Sequence, residues 1–357
     1  MRRPADAERV RYAPRMARKR RPLGHVIGGI VAGIDQQIFR TTPPANELVA
    51  KGSPLRPVAA SGGGTITIAM PGDANDTGDK GDTDAKSGTI RLAAEGVEAV
   101  VDLERGGRLA SFVVDGRELL VTEGLGPIAW GSFPMVPYAG RVRNGLFEFR
   151  GRRWDLPMRL PPHAIHGTVL DRSWEAIDDR TITTSLGPAW PFAGRAIQRF
   201  ELERGRFTSR LELQADEPMP ASLGWHPWFR RRPPAGDNRM HPGPEPGELE
   251  LEFDAGAMFR RADDGITTGE LVVPPPPGPW DDCFTDLRRP PVLRWPGFLE
   301  LTIDSECPAW VVYTFPTEAL CVEPQTAPPN ALNSGPTLVE PGRPLVAEMT
   351  WTWRSLR

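Results

Sequence analysis

From residue 89 onward, short runs rich in β-branched and aromatic residues recur at roughly 8–12-residue intervals, separated by Gly, Pro, Asp or Asn. The runs "TIRLAA" (89–94), "VEAVVDLE" (97–104), "LASFVVD" (109–115), "LFEFR" (146–150), "TITTSL" (181–186) and "AIQRFELE" (196–203) read as strands. Several keep a strict period of two. Phe207, Leu211 and Leu213 share one parity in "RFTSRLELQ", Leu299, Leu301 and Ile303 do in "FLELTID", and Ala347, Met349, Trp351 and Trp353 do in the last run. One face of each is therefore expected to be buried and the other wet. No amphipathic helix longer than two turns stands out, and no fixed-period repeat suggests a propeller or solenoid. The pattern predicts an all-β, antiparallel sandwich over 89–357. The Pro-dense stretches 231–247 and 274–279 read as surface connections, because proline cannot donate to a central ladder.

Residues 1–88 do not share this pattern. Residues 1–22 hold nine Lys/Arg against two acids, so a chain of net charge −3 divides into a basic start and an acidic body. "HVIGGIVAGI" (25–34) follows, superficially like the apolar part of a secretory signal but without a prompt small-residue cleavage site. The basic run lacks the interleaved aromatics of a nucleic-acid module. Residues 53–88 are too rich in Gly, Ser and Asp to offset the entropy of ordering them. Residues 1–88 thus read as a disordered basic tail and linker, with a start at Met70 as a mundane alternative. Asp73 to Asp84 faintly resembles a calcium loop but lacks the closing Glu and flanking helices.

Composition narrows the class. With 40 Pro in 357 residues a helix bundle is disfavoured, and no apolar run is long enough for a membrane helix. Cys283, Cys307 and Cys321 are odd in number and lack metal-ligand spacing, so they read as buried reduced thiols, with neither disulfide framework nor metal site. The expected setting is cytoplasmic, without membrane or nucleic-acid partners, as a monomer or homodimer.

Five histidines are present, of which His25 and His241 fall in the tail and a Pro-rich loop. His163, His166 and His226 remain. Each taken alone reads more readily as structural than catalytic. His226, however, lies in "GWHPWF" (224–229), where Trp225 and Trp228 offer flat apolar faces suited to the C–H faces of sugars, and Pro227 is expected to interrupt a regular ladder. Glu323 follows the apolar run "ALCV", directly before Pro324. A carboxylate at the inner end of a buried strand needs a hydrogen-bonding partner or a task.

The segments "GSFPMVPYAGRVRNGLFEFRG" (131–151), "HAIHG" (163–167), "GWHPWF", "WDDCF" (280–284) and "CVEPQTAPPNAL" (321–332) together resemble the aldose 1-epimerases, or galactose mutarotases, in order and approximate spacing over about 89–353. The resemblance implies a large mutarotase-like β-sandwich with a sugar cleft and a cofactor-free interconversion of α and β anomers. His226 matches the family's general acid and Glu323 its general base. Arg141 and His166 match sugar-binding positions, and Asp281 matches the carboxylate that grips the sugar, with Asp282 adjoining it. Gln325 and Trp225 are expected to line the same pocket. The "GWHPWF" flank departs from the best-known members, which carry Asn before the acid histidine, and this leaves the sugar open.

Mutarotation needs a proton removed from the C1 hydroxyl and one added to the ring oxygen, and the expected arrangement puts acid and base on opposite sides of the anomeric centre. Rival readings are a hexose-6-phosphate epimerase using Arg143 or Arg230, Arg231 and Arg232, a glycosidase pairing Glu323 with Asp281, and a non-catalytic sugar-binding protein.

Overall fold

The computed structural model describes residues 82–84, 88–234 and 245–356. His25, His241, Met70 and most of the expected tail and linker lie outside the described residues, as does the middle of the 231–247 connection.

The expected runs form strands close to their predicted bounds, among them Thr89–Ala94, Val97–Asp102, Arg108–Val114, Thr181–Ser185, Gly194–Glu203, Arg206–Ala215 and Leu345–Ser355. Their alternating side chains sort as the period of two requires. Phe207, Leu211, Leu213, Leu299, Leu301, Ile303, Met349 and Trp351 are all buried. The one α-helix among the described residues is the single turn Ala331–Ser334.

Two large sheets result, of twelve and eight strands, and every ladder between their strands is antiparallel. The aromatic residues of their facing sides fill the space between them. Phe112 of the larger sheet meets Phe207, Trp351 and Trp353 of the smaller at centroid distances of 5.1–5.4 Å, and Phe229 meets Trp351 at 4.9 Å. Offset and edge-on contacts of this kind add to the burial of large apolar rings. The fold is thus an antiparallel β-sandwich, as the strand pattern predicts.

The centre of the larger sheet runs Ser132–Met135, Gly224–Arg230, Ala319–Gln325, Ala309–Tyr313, Asp281–Leu287. Here alternation disappears from the sequence because both faces are covered. Gly224–Phe229 and the whole of Ala319–Gln325 are buried. Pro227 leaves its strand continuous, while the ladder to Ala319–Gln325 breaks between Gly224 and Trp228, as expected. Gly224–Arg230 continues through it, pairing Gly224 with Gln325 and Trp228 with Cys321 on one side and Pro227 with Ser132 on the other. Pro324 likewise pairs with Trp310 inside a central strand. Proline's fixed φ suits extended backbone, and what it lacks is a single donor.

Cys283, Cys307 and Cys321 are free and buried, and burial pushes the Cys307 thiol up to about 11.

Candidate active site

The pairing of Gly224–Arg230 with Ala319–Gln325 sets His226 opposite Glu323, and strand alternation turns both side chains to the face away from the sandwich core. His226 Nε2 lies 3.2 Å from Glu323 Oε1. Both are almost wholly enclosed, at 5% and 2% exposure. On its other flank His226 is the register partner of Phe133. Its imidazole is stacked between two aromatic rings, Phe133 at 5.0 Å and Trp228 at 5.2 Å with planes only 3° apart.

That apolar enclosure governs the protonation of the pair. Burial lowers His226 from 6.5 to about 3, with the charges of Arg141 and Arg108 adding in the same direction. Burial raises the Glu323 carboxyl well above its ordinary range, as does the charge of Asp281, while Arg141 and a hydrogen bond from Gln325 oppose the rise. Each group is driven toward its neutral form. The direct Nε2 to Oε1 contact then lets a single proton lie between them.

Gln325 donates from Nε2 to Glu323 Oε2 at 3.2 Å, leaving its own Oε1 without a partner. His166 sits in a turn at φ 59°, followed by Gly167 at φ 80°. Its ring meets His226 edge-on at 5.0 Å, and its Nδ1 has no partner. Burial, reinforced by the charges of His226 and Arg141, holds His166 well below the usual histidine range. The Nδ1 of His226 is also unpartnered. Three buried polar atoms in one group of side chains thus await hydrogen bonds.

Arg141 reaches Asp281, Nη2 to Oδ2 at 3.5 Å. Asp281 shares its strand face with Cys283, next to Glu323's neighbour Val311, whereas Asp282 and the buried Phe284 turn to the other face. Of the two adjoining carboxylates it is therefore Asp281 that faces Arg141.

Trp225 is not brought to this group. It occupies the opposite face of the strand, 1% exposed between the two sheets, where its indole N–H donates to Gln198 Oε1 and Ser209 Oγ. The indole beside His226 is Trp228, two residues on, as period-two alternation requires. His163 is structural: its Nδ1 accepts from the Asn144 N–H at 3.1 Å, which leaves Nε2 to donate to the Asp264 carbonyl at 2.9 Å.

Three further residues shape the site without a local sequence signal. Arg261 binds the Asp281 carboxylate at 2.9 Å and its backbone carbonyl, and lies 3.7 Å from Asp282. Arg108, fully buried, donates to the carbonyls of Arg105, Pro127, Trp130 and Leu170 and lies over Trp130 and Phe133. Burial brings it down to about 10, and it fixes a positive charge behind the histidine. Phe133 supplies one wall of the imidazole slot. Alternation marks a face, but only sheet pairing between distant segments reveals these neighbours.

The arginines weighed for phosphate are engaged elsewhere. Arg143 pairs with Asp264 at 3.2 Å. Arg230 donates to the Leu120 carbonyl and Thr122, Arg231 to the carbonyls of Thr314 and Pro316, and Arg232 to Glu248. Two surface hollows, of about 450 and 760 Å³, are lined by 285–310 and 171–216 segments and include none of the residues around His226. Among the described residues no group of three or more His, Cys, Asp or Glu could hold a metal, and no helix is long and apolar enough to cross a membrane.

Comparison with known proteins bears on family and fold. The family profile for aldose 1-epimerase matches residues 88–352. A putative aldose 1-epimerase of Escherichia coli K12 superposes with a TM-score of 0.63 at 19% identity, covering 75% of this chain and 99% of that one. A galactose mutarotase-like protein of Clostridium acetobutylicum gives 0.63 at 16%, covering 78% and 98%. At these identities the likeness is one of fold. Among curated proteins, E. coli YphB is 28% identical over 139 residues, 36% of this chain and about half of that relative. E. coli YihR is 24% identical over 283 residues, 72% of this chain and 90% of that relative. With a profile match that spans most of its length, the chain belongs to the aldose 1-epimerase family.

Proposed function

We propose that the protein interconverts the α and β anomers of a free, unphosphorylated hexose by opening and reclosing the pyranose ring, in the cytoplasm and without a cofactor. The observation that carries this reading is the enclosed contact of His226 Nε2 with Glu323 Oε1 at 3.2 Å.

The two oxygens that exchange protons in mutarotation, the C1 hydroxyl and the ring oxygen, are bonded to the same carbon. An acid and a base in contact with each other suit that spacing and reach both oxygens from one side. On this reading the pair acts from one side of the anomeric centre rather than from opposite sides. The sugar takes the shared proton onto its ring oxygen as its C1 hydroxyl returns one to the pair. The C1–ring-oxygen bond breaks and the aldehyde is freed. Rotation about C1–C2 and the reverse transfers give the other anomer. Each well-placed group contributes roughly 10²–10⁴-fold, and the reaction is slow but not forbidden in water alone. Arg141, Asp281, His166 and Gln325 would hold the hydroxyls so that the open aldehyde recloses before it leaves.

The engagement of Arg143, Arg230, Arg231 and Arg232 with protein groups supports a free over a phosphorylated sugar. Asp281, held between two arginines, makes a poor partner carboxylate for glycoside hydrolysis. Polarimetry or anomeric proton NMR of freshly dissolved α-D-glucose and α-D-galactose tests the proposal. Faster approach to equilibrium with protein is expected; equal rates with and without it in both sugars overturn the reading.

A further inference from the structure

The row of His226 and Glu323 continues beyond the histidine. Leu109 is the register partner of Ser132, which places Arg108 one position along beside Phe133, and Phe133 is in turn the partner of His226. Four adjacent strands of the large sheet thus set Arg108, Phe133, His226 and Glu323 side by side on one face. The steps between them are short. Arg108 Cζ lies 5.2 Å from the Phe133 ring centre, and that ring is 5.0 Å from the imidazole.

A buried guanidinium is costly unless its charge is answered. Arg108 is 0% exposed, and its N–H groups end on the neutral carbonyls of Arg105, Pro127, Trp130 and Leu170. The carboxylates whose charge reaches it are engaged by others, Asp102 by Arg105 and Asp171 by Arg159. The preceding turn is shaped to bring it inside. Asp102 Oδ1 accepts from the N–H groups of Glu104 and Arg105. Gly106 has φ 88°, and a Cβ on it would stand 2.0 Å from the Leu170 carbonyl oxygen, the same one that accepts from Arg108 Nη2. Other ionisable groups face the imidazole: Glu323 from the paired strand, His166 from its turn, and Arg141 with Asp281. Burial keeps the nearby thiols of Cys283 and Cys321 uncharged. Arg141 has a carboxylate beside it. Arg108 has none in contact among the described residues.

We propose that Arg108 is an electrostatic positioning residue of the acid/base pair: its fixed charge, one ring away along the row, disfavours a second positive charge on His226. The proton of the pair then rests toward Glu323, and an imidazolium formed during turnover gives up its proton readily to the sugar. The inference rests on the acid/base reading of His226 and Glu323 and deepens it.

NMR titration of His226, together with the pH profile of α-D-glucose mutarotation, tests this in the full-length protein and in Arg108→Gln, Arg108→Met and Arg108→Lys. A unit charge about 10 Å away, at an effective dielectric near 20, moves a titration midpoint by about one pH unit. In Arg108→Gln the His226 midpoint and the acid limb of kcat/KM should both rise by about that much, with kcat lowered several-fold and KM held within about twofold. Arg108→Met supplies the same comparison should the Gln variant fail to fold. Arg108→Lys keeps the charge but not the planar fork, and should stay near the wild-type midpoint despite a lower Tm. A midpoint unmoved in the uncharged variants, or moved equally in Arg108→Lys, assigns Arg108 to the fold alone and overturns the proposal while the epimerase reading stands. A wild-type His226 that titrates near its ordinary 6.5 overturns it as well. Should glucose not be accelerated at all, the epimerase reading fails, and the His226 titration, which needs no turnover, still decides what the charge of Arg108 does.

Discussion

Burial drives His226 and Glu323 in opposite directions on the pH scale, with opposite consequences for stability. The unfolded chain protonates its histidine near 6.5, whereas the fold keeps His226 neutral down to about 3. Its contribution is complete above pH 6.5 and is lost as pH falls toward 3. Glu323 keeps a proton that the unfolded chain releases near 4.5. Its contribution is complete below that value and is lost as pH rises. At neutral pH the carboxyl therefore weakens the fold. Glu323→Gln copies the protonated acid: its amide can donate to His226 Nε2 and accept from Gln325. We expect this variant to lose at least about 10²-fold in activity. Its Tm should rise by a few degrees, since about 1 kcal/mol moves a domain of this size by roughly 2–4 °C. Calorimetry at several pH values should find its advantage over wild type growing as pH rises above about 4.5. A second outcome concerns rate. The pH profile of kcat/KM should show no inflection near 6.5, the histidine limb appearing only toward pH 3. At this scale the sequence was legible for His226, Glu323, Arg141, His166, Asp281 and Gln325 as a set of side chains that converge. It misled at Trp225, where adjacency to His226 was taken for proximity although alternation sends neighbours to opposite faces.

Among the elements, the turn that carries His166 is the most constrained. His166 and Gly167 both have positive φ, and a Cβ on Gly167 would stand 1.9 Å from the Val136 carbonyl oxygen. Val136 and Gly167 are bridge partners, and Thr168 N–H binds that same carbonyl at 2.8 Å. Neither the backbone nor the hydrogen bond can yield without moving the histidine. Gly167→Ala is expected to cost more than about 2 kcal/mol and to lower activity by displacing His166 from the His226 ring. Thermal melting and mutarotation assays of the same preparation check both. The strands themselves were readable from period-two patterning, as Arg206–Ala215 and Leu299–Asp304 illustrate. Their order was not. Ser132–Met135 lies beside Gly224–Arg230, and Leu345–Ser355 between Arg206–Ala215 and Leu299–Asp304. Such pairings are set by tertiary packing between distant segments, which leaves no local trace. The same limit hid Phe133, Arg108 and Arg261, whose roles exist only once the sheet is assembled.

Taken as a whole, the molecule ties the segments around His226 and Glu323 together by charge. Arg141 meets Asp281, and the turn after Ala255–Arg261 is tied to the opposite wall through Arg143 to Asp264 and His163 to the Asp264 carbonyl. Thr267 adds a bond to the Pro329 carbonyl at 2.7 Å. Every one of these residues, every member of the acid/base group and every residue of the described apolar core lies after residue 88. The earliest described strand of the large sheet, Asp82–Asp84, pairs with Thr89–Ala94 along its edge. A chain that begins at Asp82 therefore retains every described strand of the two sheets, the aromatic interior and the residues around His226 and Glu323. We expect it to melt within about 2 °C of the full-length protein, the shift that roughly 1 kcal/mol or less would produce, and to match it in kcat/KM for the same sugar. Paired calorimetry and polarimetry on the two lengths check this. A loss of activity at unchanged Tm would assign residues 1–81 a direct part in the reaction, whereas a fall in both would make them part of the folded body.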